Sequence, residues 1–206
     1  MRHVISVVIT GGRGLASTLG AFAFAAIIAA PSTIHAQLLT VAPSGRATTE
    51  VVLTPAEKSE TAKPLTIRID YGQPHLRGRQ LHTGELVPYD QPWRLGANAA
   101  SKLQSDVDLV IGGARGPRGT YILRALPGRA AWKLLIEKDA GQSPDPAPDA
   151  KPPEVVAAVD LKATALPAPL ESFTIWLIPS TAAGPPRGEL RFAWGTTMFS
   201  TEWATK

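Results

Sequence analysis

LTIRIDYGQPHLRGRQLHTGELVPYDQPWRLGANAA, residues 65–100, holds the pattern that decides the fold. Leu65, Ile67, Ile69 and Tyr71 alternate with Thr66, Arg68 and Asp70. Side chains along a strand point to opposite faces in turn, so this alternation predicts a strand with one buried face. Pro74 ends it, because proline lacks a backbone donor and disfavours helix at Gln73 before it. Gly78, between Arg77 and Arg79, is free to take a positive φ and predicts a turn there. From that turn to Asn98 regular periodicity is weak, and long segments of this kind in a compact domain are more often functional than idle. The segment is rich in groups that act at sites: Asp70, Tyr71, His75, Arg77, Arg79, His82, Trp93, Arg94 and Asn98.

The same alternation recurs outward from this stretch. Upstream, residues 38–42 and 49–53 read as two short strands, followed by a Pro/Lys/Glu linker over 55–64. Downstream, Val107, Leu109 and Ile111 alternate with acids, and Gly112-Gly113 ends that run. Residues 114–119, ARGPRG, read as a hairpin connection; no Gly-Lys-Ser/Thr is present to make them a phosphate loop. Tyr121, Leu123 and Ala125 form the returning strand. Trp132, Leu134 and Ile136 form the next, with Lys133 and Glu137 on its opposite face. Residues 140–153 are a Pro/Asp run whose composition cannot bury a core. Further strands are expected at 155–161, 173–177, 190–194 and 199–203, the last pair hinged near Gly195; the Ala-rich run 155–166 is the one candidate for a helix. About eight to ten short strands with Gly/Pro turns predict an all-β protein, an antiparallel β-sandwich, with a partly open β-barrel as the alternative. The expected division is 37–64 for the N-terminal strands and linker and 65–206 for the sandwich.

Three pieces of this pattern carry a resemblance. They are Ile-Asp-Tyr-x-x-Pro-x-x-x-Gly-Arg ending at Arg79, Leu-Val-Pro-Tyr ending at Tyr89, and Trp-Arg-x-Gly-Ala-Asn ending at Asn98. With Gly-x-Tyr-x-Leu ending at Leu123, Trp132, and Leu-x-Phe-x-Trp ending at Trp194, they resemble a bacterial exported family known as domain of unknown function 2911. The resemblance spans roughly residues 45–203 and implies no assigned activity. The chain departs from the family at His82, where an aromatic is usual, and at the short Pro-rich run, where a longer polar and aromatic segment is common.

Length and charge bound the rest. At 206 residues, one domain with a sizeable core is the expectation. The first 36 residues contain Arg2 and Arg13 and no acid, then an apolar Ala/Phe-rich run closing on Ile34-His35-Ala36. That pattern predicts a signal peptide cleaved after Ala36, an exported (periplasmic or secreted) mature protein, and no stable membrane span after cleavage. Removing those two arginines lowers the net charge from +4 to +2. The pI of 9.6 therefore overstates any case for nucleic acid, and no basic stripe interleaved with aromatics is present. The absence of cysteine excludes disulfides and thiolate metal sites.

No catalytic signature occurs in the chain: no Gly-x-Ser-x-Gly, no His-Glu-x-x-His and no dinucleotide-binding glycine fingerprint. After cleavage only His75 and His82 remain as histidines, and a pair without a third spaced ligand predicts no metal and no cofactor. The arginines make the stronger case. Guanidinium forks match carboxylates and phosphates, so Arg77, Arg79 and Arg94 are candidates for an anionic small molecule or an acidic glycan. They are equally suited to pairing with Asp70, Glu85 or Asp90 and knitting the loop to the sheet, Arg94 beside Trp93 above all. Two classes follow. One is a non-catalytic envelope module presenting residues 72–98, with His75, His82, Trp93, Asn98 and Asp70 as further candidate contacts. The other is a hydrolase or metal-dependent enzyme using His75 or His82 with Asp70.

Overall fold

The structure, a computed structural model, describes residues 39–55, 63–81, 86–141 and 152–206. His82, Glu85, the segment expected to be a signal peptide and most of the Pro-rich run lie outside them. Residues 40–206 form one compact unit. Among the described residues it is all-β, with nine strands: β1 (Ser44–Leu53), β2 (Leu65–Pro74), β3 (Ser101–Ser105), β4 (Leu109–Ile111), β5 (Ala114–Gly116), β6 (Gly119–Pro127), β7 (Trp132–Lys138), β8 (Val155–Pro179) and β9 (Arg187–Thr205). They form one antiparallel sheet in the order β1-β2-β3-β6-β7-β8-β9-β4-β5, with β1 and β5 at its edges, so it does not close into a barrel.

The alternation read from 65–71 becomes β2, with Ile67, Ile69 and Tyr71 buried. Its partner β1 is a single strand from Ser44, in register from Ser44 opposite Pro74 to Leu53 opposite Leu65. The two short upstream strands are thus replaced by one, and residues 39–42 are not in a strand. Because β1 pairs along its whole length with β2, it belongs to the same sheet as the rest.

Two elements are longer than their alternation suggested. Residues 155–161 and 173–177 are parts of one 25-residue strand, and 190–194 and 199–203 are parts of one 19-residue strand. The Ala-rich run is strand, not helix. The first part of β8 pairs with β7, from Val155 to Leu161, and the remainder pairs with β9 from Lys162 onward. Between Ala165 and Leu170 the register slips against β9, which puts Pro167 and Pro169 where no ladder bond is required of them. The long hairpin is curled: Thr205 near the end of β9 donates from its backbone N to Pro186 O at 2.8 Å, just before β9 begins. Smaller corrections are local. Gly112-Gly113 turn the β4–β5 hairpin, so residues 114–116, read as connection, are themselves strand. Residues 101–105, unread in the sequence, are β3, pairing with β2 and β6.

This folding-over sets aromatic side chains face to face. Phe173 of β8, fully buried, meets Tyr71 of β2 edge-on at 5.6 Å and Trp93 edge-on at 5.1 Å. Trp132 stacks on Phe199 at 4.1 Å, and Trp93 stacks on Trp194 at 6.0 Å. Tyr71, Trp132 and Trp194 are core, as their strand phase required. Trp176, opposite in phase, is half-buried on the other face. Each large aromatic buries on the order of 150–250 Å², so this cluster dominates the hydrophobic stabilisation.

Candidate functional site

The segment from Leu86 to Ala100 is held to the sheet at one point. Trp93 and Ala125 exchange both backbone hydrogen bonds, at 2.7 and 2.9 Å, as an antiparallel bridge beside β6. Further along, Ser101 pairs with Leu123. The chain thus spends residues 93–101 covering a two-residue advance on β6, and the surplus must bulge outward. Leu95, Gly96 and Asn98 make the bulge by taking positive φ of 51°, 149° and 59°. Such values are uncommon outside glycine, and for a bulky leucine they mark real strain. Among the described residues, the other two left-handed non-glycine residues, Arg77 (49°) and Asp90 (61°), lie in the same 72–98 stretch. Strain of this kind concentrates at functional sites.

Side chains fasten the bulge. Ser101 Oγ, fully buried, donates to Leu95 O at 2.7 Å. Asn98 Nδ2 donates to Ser44 O at 3.1 Å, and Arg46 Nη1 to Ala99 O at 3.3 Å. Gly72 and Gly96 let β2 and the bulge touch backbone to backbone: a Cβ on Gly72 would lie 1.9 Å from Ala97 O. Asn98 is thus the loop-ordering amide, at the mouth of the cleft it helps to shape.

That cleft is open, of about 520 Å³. Arg79, Arg94 and Arg124 line it, with Trp93, Trp194 and three prolines as its apolar walls. Among the described residues no acid lines it. Arg94 and Arg124 follow the Trp93–Ala125 bridge, one residue along on each chain, so two like charges stand side by side. Each arginine is positioned by the protein. Arg79 donates from Nε to Leu76 O (3.1 Å) and from Nη2 to His75 O (2.8 Å), and Arg94 donates from Nη1 to Asn98 O (3.3 Å). Arg124 donates from Nε to Glu137 Oε2 at 3.0 Å.

The other sequence candidates are placed elsewhere or occupied. Asp70 is ion-paired with Arg46 and accepts from Thr48 Oγ1 at 3.1 Å, so it pairs with neither loop arginine nor His75. His75 Nδ1 meets Ser172 Oγ at 2.8 Å, on the side where β2 bridges to β8. Arg77 points away from the cleft walls: its backbone N donates to Glu171 Oε1 at 2.7 Å and its Nη2 to Val41 O at 3.4 Å. Trp93 is 8% exposed and contributes an edge to the cleft while its ring stacks in the core. Burial pushes the Tyr71 phenol up, partly offset by a hydrogen bond with the Ile175 backbone. The sequence reading missed Arg124 and Glu137. Glu137, expected on a solvent face, is 2% exposed. Arg124 occupies an ordinary outward phase of β6, and its place beside the Trp93–Ala125 bridge and its pairing with Glu137 distinguish it.

A larger hollow of about 830 Å³ lies where β4, β8 and β9 meet. Asp160, Glu189 and Glu202 line it beside Lys162 and Arg187, so its charges offset and it presents no single chemistry. The arginine cleft does, and it is the candidate site despite its smaller volume. No cluster of three or more His, Asp or Glu suited to a metal occurs among the described residues. Nor is any helix there long and apolar enough to cross a membrane.

No curated protein and no solved structure matches the chain. The family model described as Protein of unknown function (DUF2911) matches residues 54–202, a span that includes β2, the strained bulge and every arginine of the cleft, and the chain belongs to that family.

Proposed function

We propose that the protein is a binding module whose arginine cleft takes the carboxylate or phosphate of a small anionic ligand, such as an acidic sugar. The observation that carries this reading is the side-by-side placement of Arg94 and Arg124 beside Arg79 with no described acid on the cleft wall. Guanidinium forks match the oxygens of a carboxylate or phosphate, so three arginines lining one open cleft suit an oxyanion. The apolar walls of Trp93, Trp194 and the prolines suit the face of a ring carrying the acid group. Fastening of the bulge by Ser101, Asn98 and Arg46 supports a preformed site, which keeps the ordering cost of binding low. The hydrolase alternative has no matching support, since His75 and Asp70 each have another partner. Export with cleavage after Ala36 is part of the same proposal and follows from the composition of residues 1–36; N-terminal sequencing of the protein recovered from its native host checks it.

Isothermal titration with D-glucuronate, citrate and inorganic phosphate tests the cleft. Arg94→Ala, which removes one fork, is expected to weaken binding roughly tenfold or more. An exposed arginine outside the cleft, Arg115, serves as the control, and Arg115→Ala is expected to bind as the unaltered protein does. Equal loss in both variants, or no binding of any probe, overturns the proposal.

A further inference from the structure

Glu137 is an anomaly of the sheet. It stands in β7 opposite Ile122, beside Arg124 opposite Leu135, on the face away from the aromatic core. A carboxylate in that phase is expected in water, yet its side chain is 3% exposed. Withdrawing a carboxylate from water costs several kcal/mol, of the order that only excellent pairing recovers, and a hydrophobic pair of equal volume would often be as stable. The burial therefore serves geometry better than stability. Its partner is an arginine of the cleft, and the contact uses one edge of the guanidinium: Nε of Arg124 donates to Oε2 at 3.0 Å. Arg124 itself is 16% exposed along its side chain. Among the described residues its Nη1 and Nη2 make no hydrogen bond, and the residue lines the cleft.

We propose that Glu137 is the positioning residue of the arginine cleft, holding Arg124 by Nε so that its two Nη groups face the oxygens of a bound carboxylate or phosphate. This rests on the anion-binding reading of the cleft. A guanidinium held on one side by a buried acceptor presents its remaining donors in a fixed fork, and so loses less freedom when an anion arrives. Arg79 and Arg94, held by backbone carbonyls, then act as the second and third contacts around this fixed one.

The sign of one change separates this role from plain electrostatics. Glu137→Gln keeps the volume but gives Nε a neutral, weaker acceptor in place of the carboxylate, and removes a negative charge beside the cleft. Charge alone would then tighten anion binding. A positioning role loosens it, because the fork is held less firmly by the neutral acceptor. D-glucuronate titrations of the full chain are expected to show a Kd raised severalfold in Glu137→Gln, with melting temperature measured alongside to read the separate cost of leaving the Arg124 charge without its counterion. Arg124→Lys, which keeps the charge beside Glu137 but lacks the fork, is expected to bind roughly tenfold more weakly or worse. In the unaltered protein, the Arg124 Nε–Hε resonance is expected to be slowly exchanging and to shift on addition of glucuronate; this readout decides the matter should Glu137→Gln fail to fold. Unchanged or tighter binding in Glu137→Gln, or an Arg124 resonance that ignores the probe, overturns the positioning role while Arg94→Ala still reports on the cleft. Failure of the unaltered protein to bind glucuronate, citrate or phosphate overturns the cleft reading and the positioning role together.

Discussion

Gly72 shows how much of the cleft depends on a side chain that is missing. A Cβ there would sit 1.9 Å from Ala97 O and 2.7 Å from Ala97 C, both backbone atoms of the strained bulge. Backbone cannot swing aside as the tip of a lysine can, so Gly72→Ala is expected to cost about 1–3 kcal/mol or more. Gly45→Ala, on the neighbouring strand with nothing within 4 Å, is expected to be near neutral. Urea unfolding of the two variants measures the difference, and equal midpoints would contradict the close approach. Asp139 carries a second prediction. Lys102 Nζ at 2.8 Å, then Gly141 N at 3.0 Å, hold its carboxyl below the ordinary aspartate range. A carboxyl lowered on folding contributes in full above its unfolded value and loses that contribution as pH falls through the folded one. Asp139→Asn should therefore narrow the gap in melting temperature between neutral pH and about pH 3. A gap as wide as before would contradict the assignment.

At the scale of the elements, the two long strands hold the molecule together. The end of β9 pairs with β4, Trp203 opposite Ile111 and Thr205 opposite Leu109, while Thr205 also bonds back to Pro186 and Lys206 N to Asp108 O. Trp203 is 3% exposed in this arrangement. Removing residues 203–206 is expected to free the β4–β5 hairpin and to lower the melting temperature sharply, since losing a buried tryptophan alone costs about 3–5 kcal/mol. Hydrogen exchange should then show Leu109, Ile111 and Ala114 amides unprotected while Ile67 and Ile69 in β2 stay slow; loss of protection everywhere at once would contradict this division. These elements were partly legible in the sequence. Period-two alternation placed β2, β6 and β7 and put Ile69, Leu123 and Leu134 in the core. It broke β8 and β9 into pieces, with Pro167 and Pro169 in the gap left in one and Gly195 read as the hinge of the other. They are tolerated where the register slips or the strand bends, and that depends on which neighbour each half meets, a long-range fact. The Asp70–Arg46 pair was not legible for the same reason: Arg46 is brought beside Asp70 only by the register of β1 on β2.

For the whole molecule, the folded-over sheet supplies a rigid aromatic core, and the surplus chain between Trp93 and Ser101 supplies a cleft on its rim. Of the candidates in that stretch, Arg79, Arg94, Trp93 and Asn98 line one cleft. Asp70, His75 and Arg77 are engaged elsewhere, and His82 lies outside the described residues. Residue type marked the arginines, but convergence with Arg124 rests on a single backbone bridge that no spacing in the sequence announces. The cleft is proposed to recognise an acid group, with the ring beside it secondary. Chemical-shift mapping of the protein with D-glucuronate and with D-glucose tests it most directly, because the two sugars differ only in the carboxylate. Glucuronate is expected to shift the amides of residues 94–98 and 124 in a saturable manner, and glucose to leave them in place. Equal shifts with both sugars, or shifts from glucuronate confined to residues away from the cleft, would contradict it.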